Sequence, residues 1–243
     1  STNAERCSSK VGSNNLLEWG TPAFGVAGYD STSSAYSCVA PVTGSGSVAG
    51  LYMSNAITLP ASGASVEGIY NVAGVGQAQY LVGAYDGTNR SYPAMLMNAG
   101  NTWAAVCGSS STPLYGHTLV GGNWVYMATT FSYDSATNKT TQNVYMADLT
   151  AGETTLTHYG SNQETGTFSI NRQYGIGGTW YNNALVFSPT GSIDEVAFYA
   201  GVKDGAFFQA NLNRITGVPE PGTCVLVGTA LIGLLAHAWR KRK

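Results

Sequence analysis

The chain has 243 residues, only 10 % of them charged, and a formal net charge of −2. Residues 1–217 carry seven Lys or Arg against twelve Asp or Glu, while the last four residues are all cationic. No basic patch is on offer to a nucleic acid, which removes that partner class. Thirty-one glycines, 15 tyrosines and five tryptophans on so few charges fit an exported, turn-rich all-β protein better than a cytosolic enzyme. A signal peptide removed from the stretch before Ser1 is the matching expectation.

Residues 1–50 are rich in Ser, Gly and Asn and show only short apolar pieces, at Leu16-Leu17, Trp19 and 35–40. Short strand-like runs then follow at 51–59, stopped by Pro60, at 66–72 and at 79–85. Asp86-Gly87-Thr88-Asn89 is a turn signal. The runs 93–97 and 102–107 flank Asn98 to Asn101, a four-residue hairpin loop. The strongest strand is 124–133; a polar loop at 134–141 leads to its partner at 143–149. Strands at 169–175 and 192–199 complete the set. One helix is predicted over 203–215, with Phe207, Phe208, Leu212 and Ile215 near one face. Many short strands with little helical periodicity give a two-sheet antiparallel sandwich, and about 200 residues suffice for one full core.

Several runs carry a resemblance. Gly191-Ser-Ile-Asp-Glu-Val-Ala-Phe-Tyr199, followed by a helix, resembles the closing strand of laminin-G-like domains, members of the concanavalin A-like lectin/glucanase jelly rolls. Gly122-Asn-Trp-Val-Tyr-Met-Ala-Thr-Thr-Phe131 resembles their Trp-containing central strand, Asn143-Val-Tyr-Met-Ala-Asp148 its partner, and Ser65-Val-Glu-Gly-Ile-Tyr70 an early strand. Ile176-Gly-Gly178 fits the glycine step before the closing strand. The match spans roughly 48–215, and the first fifty residues depart from it. It implies a jelly roll in which Trp124 is a buried anchor rather than a sugar platform.

Glucanases of that group alternate acidic residues along one face of a strand. Strand alternation puts Asp194 beside Ser192 and Val196, neither of which can serve as nucleophile or acid. The glycosidase reading therefore fails, with Asp194 read as an acceptor for loop N–H groups and Glu195 as solvated. Calcium needs six to eight oxygens. Asp86 with Asn89, or Asp134 with Asn138, offers two side chains each, so turn formation is the better reading. His117 and His158 are isolated, and no cysteine or histidine cluster has zinc spacing. Trp103, Trp180 and Tyr181 are the candidates for stacking on sugars, with rim packing the plainer alternative; Trp180 and Tyr181 are placed in a loop. Of four cysteines, Cys7 and Cys38 form the preferred disulfide, which an exported location allows.

The last 26 residues combine Pro219-Glu220-Pro221, sixteen uncharged residues from Cys224 to Trp239, and Arg240-Lys241-Arg242-Lys243. This order resembles the PEP-CTERM sorting signal of bacteria. It implies export, a transient inner-membrane anchor with the basic end in the cytoplasm, and recognition by an exosortase-type processing enzyme. A helix over 224–239 would be about 24 Å long, a marginal span of a ~30 Å hydrocarbon core. The sequence thus divides into an extracytoplasmic sandwich over 1–217 and a sorting tail over 218–243. The expected protein is a non-enzymatic surface or extracellular-matrix module that binds polysaccharide or protein. A self-assembling subunit of a surface layer or filament is the alternative, and a polysaccharide hydrolase the lesser one.

Overall fold

The computed structural model describes residues 16–20, 23–27, 29, 34–38, 49–60, 62–73, 79–84, 94–97, 102–106, 114–118, 121–167 and 171–217. Two largely antiparallel sheets face each other. The first, of nine strands, runs in the order β1 (Leu16–Trp19), β4 (Gly50–Met53), β15 (Gly175–Ile176), β7 (Gln79–Ala84), β8 (Ala94–Met97), β9 (Thr102–Val106), β10 (Leu114–Thr118). A hairpin of β16 (Thr179–Tyr181) and β17 (Ala184–Val186) joins it beside β7. The second sheet has seven strands, in the order β13 (Thr157–Thr165), β12 (Lys139–Asp148), β11 (Trp124–Asp134), β6 (Gly63–Ala73), β18 (Thr190–Ala200), β3 (Ser34–Cys38), β2 (Ala23–Ala27). A small ribbon pairs β5 (Ile57–Thr58) with β14 (Asn171–Arg172).

Alternation explains the core. Val66, Tyr70 and Val72 of β6 point inward with Val125, Met127 and Phe131 of β11 and Val144 and Met146 of β12. They meet Leu51, Met53, Val82, Met95, Met97, Trp103 and Ile176 from the nine-stranded sheet. The opposite residues of the seven-stranded sheet form a second apolar cluster on its outer face: Ile69, Tyr126, Ala128, Ala147 and Leu149. Helix α1 (Gly205–Thr216) covers it with Phe208 and Leu212. Burying such side chains contributes about 1.5–3 kcal/mol each. Asp204 caps the helix by accepting from the Phe207 N–H at 2.8 Å, and Gly217 closes it in the left-handed region.

The strands expected at 79–85, 93–97, 102–107, 124–133 and 192–199 are present within two residues of their expected ends; the one at 66–72 starts at Gly63, the one at 51–59 is split into β4 and β5, and among the described residues the two-sheet sandwich with one short helix stands. The polar loop expected at 134–141 is shorter: β11 and β12 pair down to Asp134 opposite Lys139, with only a tight turn between them. The strand expected at 169–175 is broken into β14 and β15. The described strands of the first fifty residues belong to the sandwich. β1 pairs with β4 in one sheet, and β2 and β3 extend the other from β18. Trp124 is half-buried on the outer face, in edge-to-face contact with Tyr29, and is not the central anchor expected of it. That position belongs to Trp103, which is 1 % exposed and lies against Tyr70 in the core. Val125, the residue after Trp124, takes the inward position.

Cys7, Asp86, Asn89 and the whole of 218–243 lie outside the described residues, and with them the Cys7–Cys38 pairing, the sorting motif, the apolar span and the basic end. Among the described residues, no helix is long and apolar enough to cross a membrane.

Candidate functional site

The β16–β17 hairpin turns through Asn182 and Asn183, both in the left-handed region at φ 46° and 59°. Two such residues in succession mark the type I′ hairpin turn, and asparagine is among the few side chains that tolerate it. Trp180 and Tyr181 therefore stand on a strand of the hairpin rather than in the expected loop. The hairpin is held down by Leu185, which is 2 % exposed. Leu185 sits over three glycines: a Cβ at Gly50, Gly175 or Gly178 would stand 2.5–2.8 Å from its carbons. A Cβ at any of them would force a local shift, since at Gly50 and Gly175 it would also stand 2.8 Å from a backbone oxygen.

Trp180 is brought onto Tyr52 of β4. Leu51 and Met53 point into the core, so Tyr52 faces outward. The two rings are stacked at 4.0 Å between centroids and 6° between planes, and both are half-buried. Trp180 Nε1 donates to Gln173 Oε1 at 3.1 Å. The Gln173 amide nitrogen donates in turn to the carbonyls of Met53 at 3.2 Å and Ser54 at 2.9 Å. The indole is thereby fixed through its one polar atom to the strand that carries its stacking partner. Leu17, opposite Tyr52 in the ladder, is 42 % exposed, and Phe187 just beyond the hairpin is 50 % exposed. Exposed Asn55, Asn171 and Arg172 border the stack in sequence. An aromatic surface with hydrogen-bonding neighbours is the arrangement that receives the apolar C–H face of a sugar ring while its hydroxyls find partners. Tyr181 is half-buried on the same strand but, next to Trp180, points to its opposite face; Trp103 is sealed in the core with no face left for a sugar.

The acidic residues of β18 are arranged differently from simple alternation. Glu195 is exposed, lies at φ 52° and forms a bulge: Asp194 pairs with Ile69 and Val196 with Gly68, so Glu195 has no partner. The extra residue turns Val196 inward, where it packs on the core, and gives Asp194 the outward neighbours Ser192, Ala197 and Tyr199. Asp194 is 6 % exposed and accepts the Tyr29 N–H at 3.1 Å, the expected role as acceptor for a loop N–H group.

Sequence reasoning missed Glu67. It is 7 % exposed on the outer face of β6, beneath helix α1. Tyr126 donates a very short hydrogen bond to Oε2, Tyr199 donates to Oε1 at 2.5 Å, and the Asn211 amide reaches both oxygens at 2.9 and 3.1 Å. Burial, and after it the charge of Glu67 and its hydrogen bond, push the Tyr126 hydroxyl far above the ordinary phenol range. Burial and then the Glu67 hydrogen bond do the same to Tyr199. Tyr70, on the core side, is raised by burial first and by the Glu67 charge second. The only signal in the sequence was a Glu in the middle of a mostly apolar strand.

His158 stacks on Tyr145 at 4.8 Å and places Nε2 3.3 Å from Asn143 Oδ1. Asp134 spends its carboxylate on its own turn, accepting from Ala136 N at 2.9 Å and from the Thr137 hydroxyl at 2.8 Å. Those bonds, the Thr137 hydroxyl foremost, hold its pKa below the ordinary carboxylate value. Asn138 accepts from the Tyr133 hydroxyl at 3.0 Å. Among the described residues, no three His, Cys, Asp or Glu side chains converge as a metal site.

Solved structures superpose on this chain, the botulinum neurotoxin structures well enough to share its architecture. A botulinum neurotoxin type C structure, whose cell entry depends on interaction with two ganglioside molecules, superposes with a TM-score of 0.54 at 8 % identity, over 83 % of this chain and 46 % of that one. This chain thus spans about half the length of the neurotoxin structure. The sialidase CBM40 of Ruminococcus gnavus gives 0.44 at 14 % identity, over 65 % and 91 %. The heptameric pentraxin of Limulus polyphemus gives 0.46 at 10 % identity, over 65 % and 72 %. Neither a family model nor a curated protein sequence matches the chain. The likeness is one of fold: the chain is a two-sheet jelly-roll sandwich.

Proposed function

We propose that the protein is an exported, non-catalytic surface or extracellular-matrix protein whose jelly roll binds polysaccharide. The observation that carries the reading is the half-buried Tyr52–Trp180 stack, fixed by Gln173 on the outer face of the nine-stranded sheet. A half-buried aromatic stack at the surface, with its polar atom tied back, is the kind of platform on which a sugar's C–H face packs. A neurotoxin that engages gangliosides has this fold, a precedent for glycan recognition on the scaffold though not for the ligand.

Two observations weigh against a glycosidase working through Asp194 or Glu67. Asp194 and Glu67 are the carboxylates on the outer face of the central strands, and both are under 10 % exposed. Glu67 is further roofed by Asn211 of the helix and two phenols. Neither can approach a glycosidic bond, which retaining or inverting hydrolysis requires of two carboxyl groups. Export and sorting rest on the tail. Helix α1 closes at Gly217, so Pro219-Glu220-Pro221 follows within four residues, ahead of the apolar run and Arg240 to Lys243. An exosortase-type enzyme and, transiently, the inner membrane are the partners of this tail.

Each half has its own test. A glycan array followed by titration calorimetry should find a polysaccharide ligand whose binding is lost in Trp180→Ala; absence of any glycan binding removes the lectin half. Intact mass and cell fractionation from native cells should give a surface or extracellular protein ending near Val218. A full-length chain held in the inner membrane would instead make the tail a plain anchor.

A further inference from the structure

We propose that Phe187, seated on Tyr80, is a second aromatic platform beside the Tyr52–Trp180 stack, and that the two together hold one linear, uncharged polysaccharide chain along the outer face of the nine-stranded sheet. The inference deepens the proposed glycan site and rests on that reading for the class of ligand.

Among the described residues the exposed large apolar side chains are Leu17, Phe187 and Val202. Two of the three share the face that carries Tyr52 and Trp180. Leu17 stands opposite Tyr52 in the β1–β4 ladder. Tyr80 shows where Phe187 lies. It pairs with Leu96 of β8, whose neighbours Met95 and Met97 point into the core, so Tyr80 and Leu96 face outward and cluster with Ala94 and Ala104. The Phe187 carbonyl accepts the Tyr80 N–H at 2.8 Å, and the two rings meet at 6.1 Å between centroids and 42° between planes. Tyr80 is buried and Phe187 exposed, so one ring is the base and the other the surface. A single hairpin delivers both platforms: Trp180 comes from β16, and Phe187 directly follows β17.

The ladder fixes their spacing. Gly175 of β15 is level with Tyr52 on one side and with Gly83 on the other. Tyr52 is therefore two strands away from β7, and Tyr80 lies three residues further along that strand. At ordinary strand spacing and rise the two tyrosines are about 14 Å apart. One sugar ring cannot rest on both platforms, whereas a run of several can.

The backbone at Phe187 carries an independent sign. Its φ of 54° lies in the left-handed region. Of the other described non-glycine residues found there, three are asparagines, which tolerate it, and Glu195 is the bulge residue of β18. Glycine suits such a position, and a bulky apolar residue is strained in it. An exposed ring recovers little of that strain through burial. Strain of this kind collects where a ligand is held.

Charge selects the ligand. β4, β7, β15, β16 and β17 contain no Asp, Glu, Lys or Arg. Glu18 of β1 pairs with inward-facing Leu51 and so alternates away from this face, and Arg172 belongs to the separate β5–β14 ribbon. An acidic polysaccharide is recognised through cations. An uncharged one is recognised through the apolar C–H faces of its rings, with hydrogen bonds to its hydroxyls. The second description matches this track.

Titration calorimetry of the intact protein with cello-, xylo- and manno-oligosaccharides, from disaccharide to hexasaccharide, tests the track. The series that binds should gain about tenfold in affinity once the chain is long enough to reach the second ring. Phe187→Gly should abolish that gain and leave disaccharide binding as it was, while Phe187→Tyr should keep the gain. Melting temperatures near that of the intact protein check that both variants fold, relief of the strained backbone offsetting the lost ring contact in the glycine variant. The length dependence of the intact protein needs no variant at all. A hexasaccharide that binds no tighter than a disaccharide, or that Phe187→Gly holds as firmly as the intact protein does, would overturn the second platform and leave the Tyr52–Trp180 site standing. Preference for polygalacturonate over every neutral series would overturn the uncharged class. No binding of any probe by the intact protein would remove the glycan reading itself, and this inference with it.

Discussion

At the scale of single residues, the most consequential side chain is one that no functional reading required. Glu67 sits under the helix with three donors and, among the described residues, no ion-pair partner at its carboxylate, so its stability depends on those donors staying in place. Tyr126→Phe should destabilise the protein by about 1–3 kcal/mol, the cost of withdrawing a donor from a buried carboxylate. Urea denaturation of the two proteins measures it. The same cluster fixes an alkaline limit. Tyr126, Tyr199 and Tyr70 hold their protons more tightly folded than unfolded. Below a pH of about 10 both states are protonated and the contribution is fully present. Above it the unfolded chain releases these protons while the folded one keeps them, so stability falls as pH rises. Unfolding midpoints followed from pH 8 to 11.5 should drop steeply past 10, and Tyr126→Phe should flatten the drop.

At the scale of elements, the strands legible in the sequence were those whose alternation pays in buried apolar area. β6, β11 and β12 bury one side chain in two against the opposite sheet, and turn residues punctuate them. β13 was invisible because Thr-His-Tyr-Gly-Ser-Asn-Gln-Glu-Thr, at a sheet edge, has no apolar period. The hairpin was read as a loop because Asn182-Asn183 signals a turn but the flanking strands are only three residues each. The Glu195 bulge defeated strict alternation in β18 and moved Val196 to the other face, which no count of two could reveal. Two substitutions test these assignments. Gly191→Ala would place a Cβ 2.1 Å from the Asn71 carbonyl oxygen at φ 152°, so it should unzip the β18–β6 ladder and cost about 3 kcal/mol or more. Asp204→Ala removes the helix cap and should cost only about 1 kcal/mol. Thermal denaturation distinguishes the large effect from the small one.

At the scale of the molecule, the two-sheet sandwich was readable from strand count and turn spacing, but the placement of the first fifty residues was not. Their strands pair with partners far along the chain: β1 with β4 of one sheet, β3 with β18 of the other. Local pattern carries no record of such pairing. Removing residues 1–48 should therefore expose the edges of β4 and β18 together, and unpaired edges favour association. Size-exclusion chromatography should show the shortened protein self-associating where the intact one does not. The candidate site was half legible. Trp180 and Tyr181 were identified by residue type, whereas Tyr52 and Gln173 reach Trp180 only through the fold, and Trp103 was assigned to the surface because a tryptophan in a short strand reads the same on either face.

The central claim is that this jelly roll recognises a glycan through Trp180 and Tyr52. Its most direct measurement is binding of the intact protein and of Trp180→Ala to an array of bacterial and plant polysaccharides, with folding of both checked by thermal denaturation. The account predicts a ligand for the intact protein that the folded variant no longer holds. A folded Trp180→Ala protein that binds the same glycan equally well would contradict it.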